Sequence, residues 1–236
     1  MLALAGSAGA QTSAELGNAQ YVGMVTANKP SGIPGMVRVS FGSCVVTDPR
    51  VMYPNLPDTV NWSHHSLITA YHVVKGANYA KCTVQGLTFT AAVYPIDPDS
   101  DIAILIAPDS ANLKEAAVGD GKSYSDDYSA YGYPGSSTSL LTSHAKVGRR
   151  KMITVQEKDD GTWHRYDAVF FGIHLHEGES GGALFDPRGR LAGIIIAGSD
   201  SDESWFTPWR RKYAADKPPT PSDDQQVDSV VVDIKP

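Results

Sequence analysis

Cysteine is scarce: Cys44 and Cys82 are the only two in 236 residues, too few for a disulfide framework. Two buried free thiols are the expected state, with a single pairing as the alternative. No run of about 18 apolar residues exists, so no segment reads as a membrane span. Basic charge is also short, with 20 Lys and Arg against 26 Asp and Glu for a net charge of −6. That balance carries no electrostatic footprint for nucleic acid. The one basic run, Gly148-Arg149-Arg150-Lys151, reads as a solvated loop. The opening MLALAGSAGA has no basic flank and is broken by glycine and serine, so it does not read as a signal peptide. Histidine is missing from the whole C-terminal part, the last of seven being His176.

The chain does have short β-type runs in two series. GMVRVSFGSCVV (35–46), SLITAYHVV (66–74), AKCTV (80–84), LTFTAAVYPI (87–96) and DIAILIA (101–107) form the first. DYSAYGYP (127–134), SLLTSHAKVG (139–148), MITVQEK (152–158), WHRYDAVFFG (163–172) and LAGIIIAG (191–198) form the second. Val84-Gln85-Gly86-Leu87 and Lys158-Asp159-Asp160-Gly161 are hairpin signals, the glycine supplying a positive φ. In DIAILIA both faces are apolar, as a strand inside a barrel wall requires. With 42% hydrophobic residues, 22 Gly and 15 Pro, the chain reads as all-β, with a lobe for each series. The expected organisation is a flexible leader over 1–20, a first barrel over 21–113, a second over 114–215 and a flexible tail over 216–236. WFTP (205–208) reads as a last strand and WRRKYAA (209–215) as a short C-terminal helix.

The chemistry centres on GESGGALF (178–185). A serine hydroxyl is a weak nucleophile at neutral pH; it needs a base, and the base needs an orienting group. Gly178-Glu179-Ser180-Gly181-Gly182 fits the G-x-S-x-G elbow of α/β-hydrolases, but that arrangement needs a histidine after the serine. None follows Ser180, so that reading fails. The order His, Asp, Ser remains open, with His72 at the end of an apolar strand and Asp101 opening DIAILIA. Asp99 is the alternative acid, and a plain turn is the alternative role for Ser180. His64-His65 and His174-x-His176 lack evident further ligands, so no metal site and no cofactor are expected.

TAYHVV, DIAIL and GESGG together resemble the histidine, aspartate and serine motifs of the trypsin-like (chymotrypsin-fold) serine peptidases. The pattern is most similar to compact HtrA/Deg-like and viral branches, without a PDZ domain, and covers about residues 36–215. The resemblance implies two six-stranded antiparallel β-barrels with a short C-terminal helix. It further implies a serine endopeptidase in which Ser180 attacks, His72 is the base and Asp101 orients it. By the same carry-over the N–H groups of Gly178 and Ser180 form the oxyanion hole. His174, Ile196, Ala197 and Gly198 fall at the S1 pocket, with no aspartate at its base to favour Lys or Arg. Glu179 departs from the aspartate usual before the serine, Tyr71 replaces a small residue, and no IVGG-like activation sequence is present. The implied partner is a polypeptide substrate, in a cytoplasmic or viral-polyprotein setting rather than a secreted one. The alternative is a catalytically silent binding module on the same fold.

Overall fold

The computed structural model describes residues 17–31, 33–119, 127–157, 163–171, 174–198, 204–208 and 231–234. Its first six strands are β1 (Val22–Pro30), β2 (Val37–Val46), β3 (Ser66–Ala70), β4 (Tyr79–Val84), β5 (Leu87–Asp97) and β6 (Ile102–Ile106). They close into an antiparallel barrel in the order β1-β2-β3-β6-β5-β4. β1 was not evident from the sequence, because Gly23, Asn28 and Pro30 interrupt its apolar pattern. Pairing with β2 on one edge and β4 on the other makes it a strand. Gln85 and Gly86 both have positive φ, 53° and 76°, the signature of the two-residue turn expected between β4 and β5.

The doubly apolar reading of DIAILIA holds for a specific reason. Ala103 and Leu105 point into the barrel beside Val25, Val46 and Leu67. Ile102 and Ile104 point the other way, into a second cluster with Tyr131, Phe185, Leu191 and Ile194. The second cluster draws on both halves of the chain, so β6 is at once barrel wall and inter-lobe seam. Fully burying such side chains stabilises by about 1.5–3 kcal/mol each.

The second half contains β7 (Asp127–Gly132), β8 (Leu141–Glu157), β9 (Trp163–Phe171), β10 (Ala183–Phe185), β11 (Leu191–Gly198), β12 (Ser204–Pro208) and β13 (Val231–Ile234). Here the expectation of a second closed six-stranded barrel is corrected. These strands form a seven-stranded sheet, order β13-β8-β7-β10-β11-β12-β9, with β8 also pairing β9. β8 pairs with β7, β9 and β13 along its length. β7 covers its edge only from Leu141 to Lys146, and β13 runs parallel to it from Thr154 to Glu157. β13 thus comes from the stretch read as a tail. Gly148-Arg149-Arg150-Lys151 is not a loop but lies within β8, where the register with β9 shifts between Val147 and Arg150. The helix expected over 209–215 and the Lys158–Gly161 turn lie outside the described residues.

Candidate active site

SLITAYHVV does not continue as a strand. β3 ends at Ala70, and Tyr71–Val74 make one helical turn, α1. Asp101 explains the break, because it takes up the two N–H groups that open the turn. Its backbone carbonyl accepts from Tyr71 N–H at 2.9 Å. Its Oδ1 accepts from His72 N–H at 2.8 Å, and its Oδ2 lies 2.6 Å from His72 Nδ1. Asp101 is fully buried and has φ +56°, ψ 43°. That left-handed conformation is one aspartate tolerates better than most residues. It follows the 3-10 turn Pro98–Ser100 and is held by its own N–H on Pro98 O.

A carboxylate only accepts, so Nδ1 must carry the imidazole proton. Nε2 then keeps a lone pair and is the basic nitrogen. Lys29, a buried lysine on β1, donates from Nζ to the carbonyl of His72 at 2.6 Å and ties α1 to the barrel.

Ser180 reaches this neighbourhood through its backbone. Its carbonyl accepts from Ser43 N–H on β2 at 2.7 Å. A Cβ placed on Gly42 would lie 3.1 Å from Ser180 O and 2.5 Å from a methyl of Val73, the residue after His72. The Ser180 backbone and the His72 turn therefore both crowd against one glycine. Gly181, at φ +85°, passes so near β2 that a Cβ there would sit 2.1 Å from Ser43 O.

Around the nucleophile candidate most amides are used internally. Glu179 N–H donates to His176 O, Gly181 N–H to Ile195 O and Gly182 N–H to Glu179 O. Among the described residues, the N–H groups of Gly178 and Ser180 donate to no protein acceptor. Gly178 has φ +92°, and a Cβ there would lie 2.1 Å from Gly135 N and 2.8 Å from Tyr133 O. Only glycine fits that conformation and that space.

Glu179 is buried, and its Oε2 accepts from the backbone N–H of His176 at 2.5 Å. The longer side chain of glutamate thus curls back on its own loop and closes the turn that precedes Ser180. Burial pushes its carboxyl above the ordinary range, with the His176 N–H and the nearby His176 and His174 rings acting in the opposite direction.

Sequence reasoning missed Ser43. Its hydroxyl donates to Gly178 O at 3.0 Å and accepts from Tyr133 N–H at 2.8 Å. Its carbonyl accepts from Thr69 Oγ1 at 2.7 Å. One serine of the first barrel thus fastens the Gly178–Ser180 loop and the loop after β7. Nothing in FGSCVV distinguishes it from any other strand serine, since its partners come from remote parts of the chain.

Of the residues read as S1, His174 is exposed and meets His176 edge-on with ring centroids 4.9 Å apart. Ile196 is fully buried, and Ala197 and Gly198 pair with Trp205 and Ser204 on β12. β11 is joined to the serine loop through Ile195, which exchanges bonds with Gly181 and Gly182. Cys44 and Cys82 are buried free thiols. Contact with Cys82, reinforced by burial, holds the Cys44 thiol well above its usual range. No group of three or more His, Cys, Asp or Glu among the described residues converges as a metal ligand set.

A closed β-barrel joined to a second β-sheet, with the His-Asp pair on one and the glycine-flanked serine on the other, defines a chymotrypsin-like fold. The chain belongs to the trypsin-like peptidase domain family, whose model matches residues 42–194. It is similar to the magnetosome formation protease MamE of Paramagnetospirillum magneticum, 29% identical over 137 residues, 56% of this chain and 18% of that protein. It is also similar to the serine protease Rv3671c of Mycobacterium tuberculosis, 28% identical over 144 residues, 59% of this chain and 36% of that protein. The chain therefore matches well under half the length of these curated relatives.

Among solved structures, the active form of the Rv3671c protease superposes with a TM-score of 0.66 at 20% identity. The alignment covers 83% of this chain and 79% of that one. The HtrA-type protease AlgW with a tripeptide gives 0.60 at 23% identity, covering 80% and 56%. At these identities the likeness is one of fold. The relatives named are bacterial, and the viral-polyprotein expectation finds no support among them.

Proposed function

We propose that the chain is a serine endopeptidase acting through His72, Asp101 and Ser180. The observation that carries this reading is the pair of hydrogen bonds from one buried carboxylate to both the main chain and the ring of His72. A carboxylate clamped in that way fixes the tautomer as well as the direction of the imidazole. His72 Nε2 takes the proton of Ser180 Oγ as that oxygen attacks the scissile carbonyl. The imidazolium formed is stabilised by Asp101 and then gives its proton to the leaving amine. Water, activated by the same nitrogen, hydrolyses the acyl-enzyme.

The uncommitted N–H groups of Gly178 and Ser180 are the donors for the developing oxyanion, each worth about 3–4 kcal/mol in comparable sites. Family membership and the crowding of Ser180 and Val73 against Gly42 support the assignment. His174, with the 196–198 segment of β11, is the S1 assignment carried by this reading.

Labelling with a fluorophosphonate probe tests the proposal. The wild-type protein is expected to react at Ser180, and Ser180→Ala to remain unlabelled while folded. A folded wild-type protein that takes no label would instead support a silent binding module. Cleavage of a peptide library, profiled for wild type and His174→Ala, reads the S1 assignment. An unchanged profile would remove His174 from the pocket.

A further inference from the structure

β2 ends at Val46 and β3 begins at Ser66, so residues 47–65 connect them. Connections of that length are uncommon inside a compact domain and usually carry a function. This one is anchored rather than solvated. Met52, Leu56 and Trp62 are buried in the seam cluster that also holds Ile102, the residue after Asp101. The Trp62 ring stands edge-on to Tyr94 of β5, with centroids 5.6 Å apart. The connection therefore packs against the stretch of chain that delivers Asp101.

The dipeptide Asp-Pro occurs three times in the chain, at 48–49, 97–98 and 186–187. In two of these the aspartate accepts from the N–H two residues on: Asp48 from Arg50 and Asp186 from Arg188, each at 2.9 Å. That is the ordinary behaviour of an aspartate opening a turn. Asp97 departs from it, making no such cap bond to the turn Pro98–Ser100. Its Oδ2 instead accepts from the hydroxyl of Tyr53 at 3.1 Å. Tyr53 is held in turn by the Asp48 turn, its N–H donating to Pro49 O at 2.8 Å. Burial and the charge of Asp97 push the Tyr53 hydroxyl well above its usual range, so it stays protonated and donates.

Asp97 is also the point at which β5 gives way to the turn. The pairing of β5 with β6 shifts register between Pro95 and Asp97, and Asp97 faces Ile102. The turn Pro98–Ser100 then leads to Asp101, whose N–H is bonded to Pro98 O at 3.1 Å. β9 of the second half lies against the same turn. Over so short a path, a rotation at Asp97 is passed on to Asp101.

We propose that Tyr53 is a positioning residue: through Asp97 it fixes the turn that presents Asp101 to His72. For its effect on catalysis the proposal rests on the reading of His72, Asp101 and Ser180 as the triad. Without the Tyr53 hydroxyl, the Asp97 carboxylate turns back to cap its own turn, as Asp48 and Asp186 do. Asp101 then shifts relative to the imidazole.

Tyr53→Phe keeps the ring and removes only the hydroxyl. On a peptide substrate it is expected to lower kcat about tenfold with KM unchanged. The Asp101 carboxylate, 2.6 Å from Nδ1, stabilises the imidazolium, so its displacement lowers the pKa of His72. The acid limb of kcat/KM should therefore move to lower pH, by about half a unit. Lys29, which meets the His72 carbonyl, is untouched by the variant. Asp97→Ala should reproduce both changes, and the double variant should be no worse than Asp97→Ala alone. A lowered melting temperature with kcat and the acid limb unchanged would make Tyr53 a plain structural brace and overturn the proposal. Losses that multiply in the double variant would overturn it too, since Tyr53 would then act by a route other than Asp97.

The proton resonance of His72 Nδ1–H gives a readout without turnover. A proton in a short bond to a carboxylate resonates far downfield, and in Tyr53→Phe it should move upfield or broaden through exchange with water. A resonance identical in position and width in the two proteins counts against the proposal. If the wild-type protein neither hydrolyses peptides nor takes the fluorophosphonate label, the catalytic reading fails. The resonance then still decides whether Tyr53 positions Asp101.

Discussion

The two halves of the molecule hold their contributions to the site by different means. The first barrel fixes His72 with a side chain: Asp101 is fully buried and reaches both the main chain and the ring of the histidine. The second half fixes Ser180 with backbone: bonds from the flanking residues to Ile195, His176 and Ser43, and glycines where a Cβ would collide. Substitutions in the first half should therefore act through charge and proton position. Those in the second should act through chain conformation. The contrast sets the order of the following experiments.

Removing the proposed nucleophile has the largest expected effect. Ser180→Ala should lower kcat by about 10⁶-fold, with thermal stability almost unchanged because the serine is held by its carbonyl and not its hydroxyl. Asp101→Asn should lower kcat by about 10⁴-fold while folding normally, since asparagine also tolerates φ +56°. Kinetics on the two purified variants, beside their melting curves, check both. A large loss of stability in Asp101→Asn would break the claim that the first half acts through charge.

Gly181→Ala is the corresponding probe of the second half. Its Cβ would meet Ser43 O at 2.1 Å in a backbone conformation that disfavours side chains, costing about 1–3 kcal/mol or more. Denaturant unfolding should register that loss, and activity should fall with it. Ser43→Ala attacks the fastening between the halves, leaving Tyr133 N–H without its acceptor and Gly178 O without one donor. About 1–3 kcal/mol of stability is expected to go. Fluorophosphonate labelling should slow as the Gly178 loop loosens; unchanged labelling would confine Ser43 to a structural role.

The smallest effect is expected from Glu179→Gln, read as a pH dependence. Burial raises the folded-state pKa of Glu179 above its ordinary value, so across that interval the folded protein binds more protons than the unfolded one. Its contribution to stability is therefore fully present below the ordinary carboxylate range and declines as pH rises through the raised pKa. Glutamine keeps an oxygen acceptor for His176 N–H but does not titrate. Melting temperatures measured from pH 4 to pH 8 should fall less for the variant than for wild type. Parallel profiles would mean that Glu179 titrates alike in both states.

Legibility in the sequence followed the range of the interactions involved. The two apolar faces of DIAILIA and the Gln85-Gly86 turn were readable because each depends on neighbours along the chain. β1 was not, since its interrupted pattern becomes a strand only between β2 and β4. The end of β3 was missed for a similar reason: Ala70 could have continued the strand, and Asp101 stops it from 31 residues away in sequence. β8 was read as two strands with a basic loop between, because the partners that carry it across Gly148–Lys151 lie on β9.

The sequence by itself determined the order of the chemistry. Histidine, aspartate and serine occur in an order that a chain without histidine after residue 176 allows for such a site, and the glycines around Ser180 are written into the motif. Only the tertiary structure decided how those residues are held: Ser43 across the two halves, Lys29 beneath the His72 turn, and Glu179 folded back on His176. These are hydrogen bonds whose donors and acceptors are brought together by packing, either across the fold or within a loop that the fold shapes. A linear pattern carries no term for them, because a polar side chain on a strand reads the same whether it faces water or a partner.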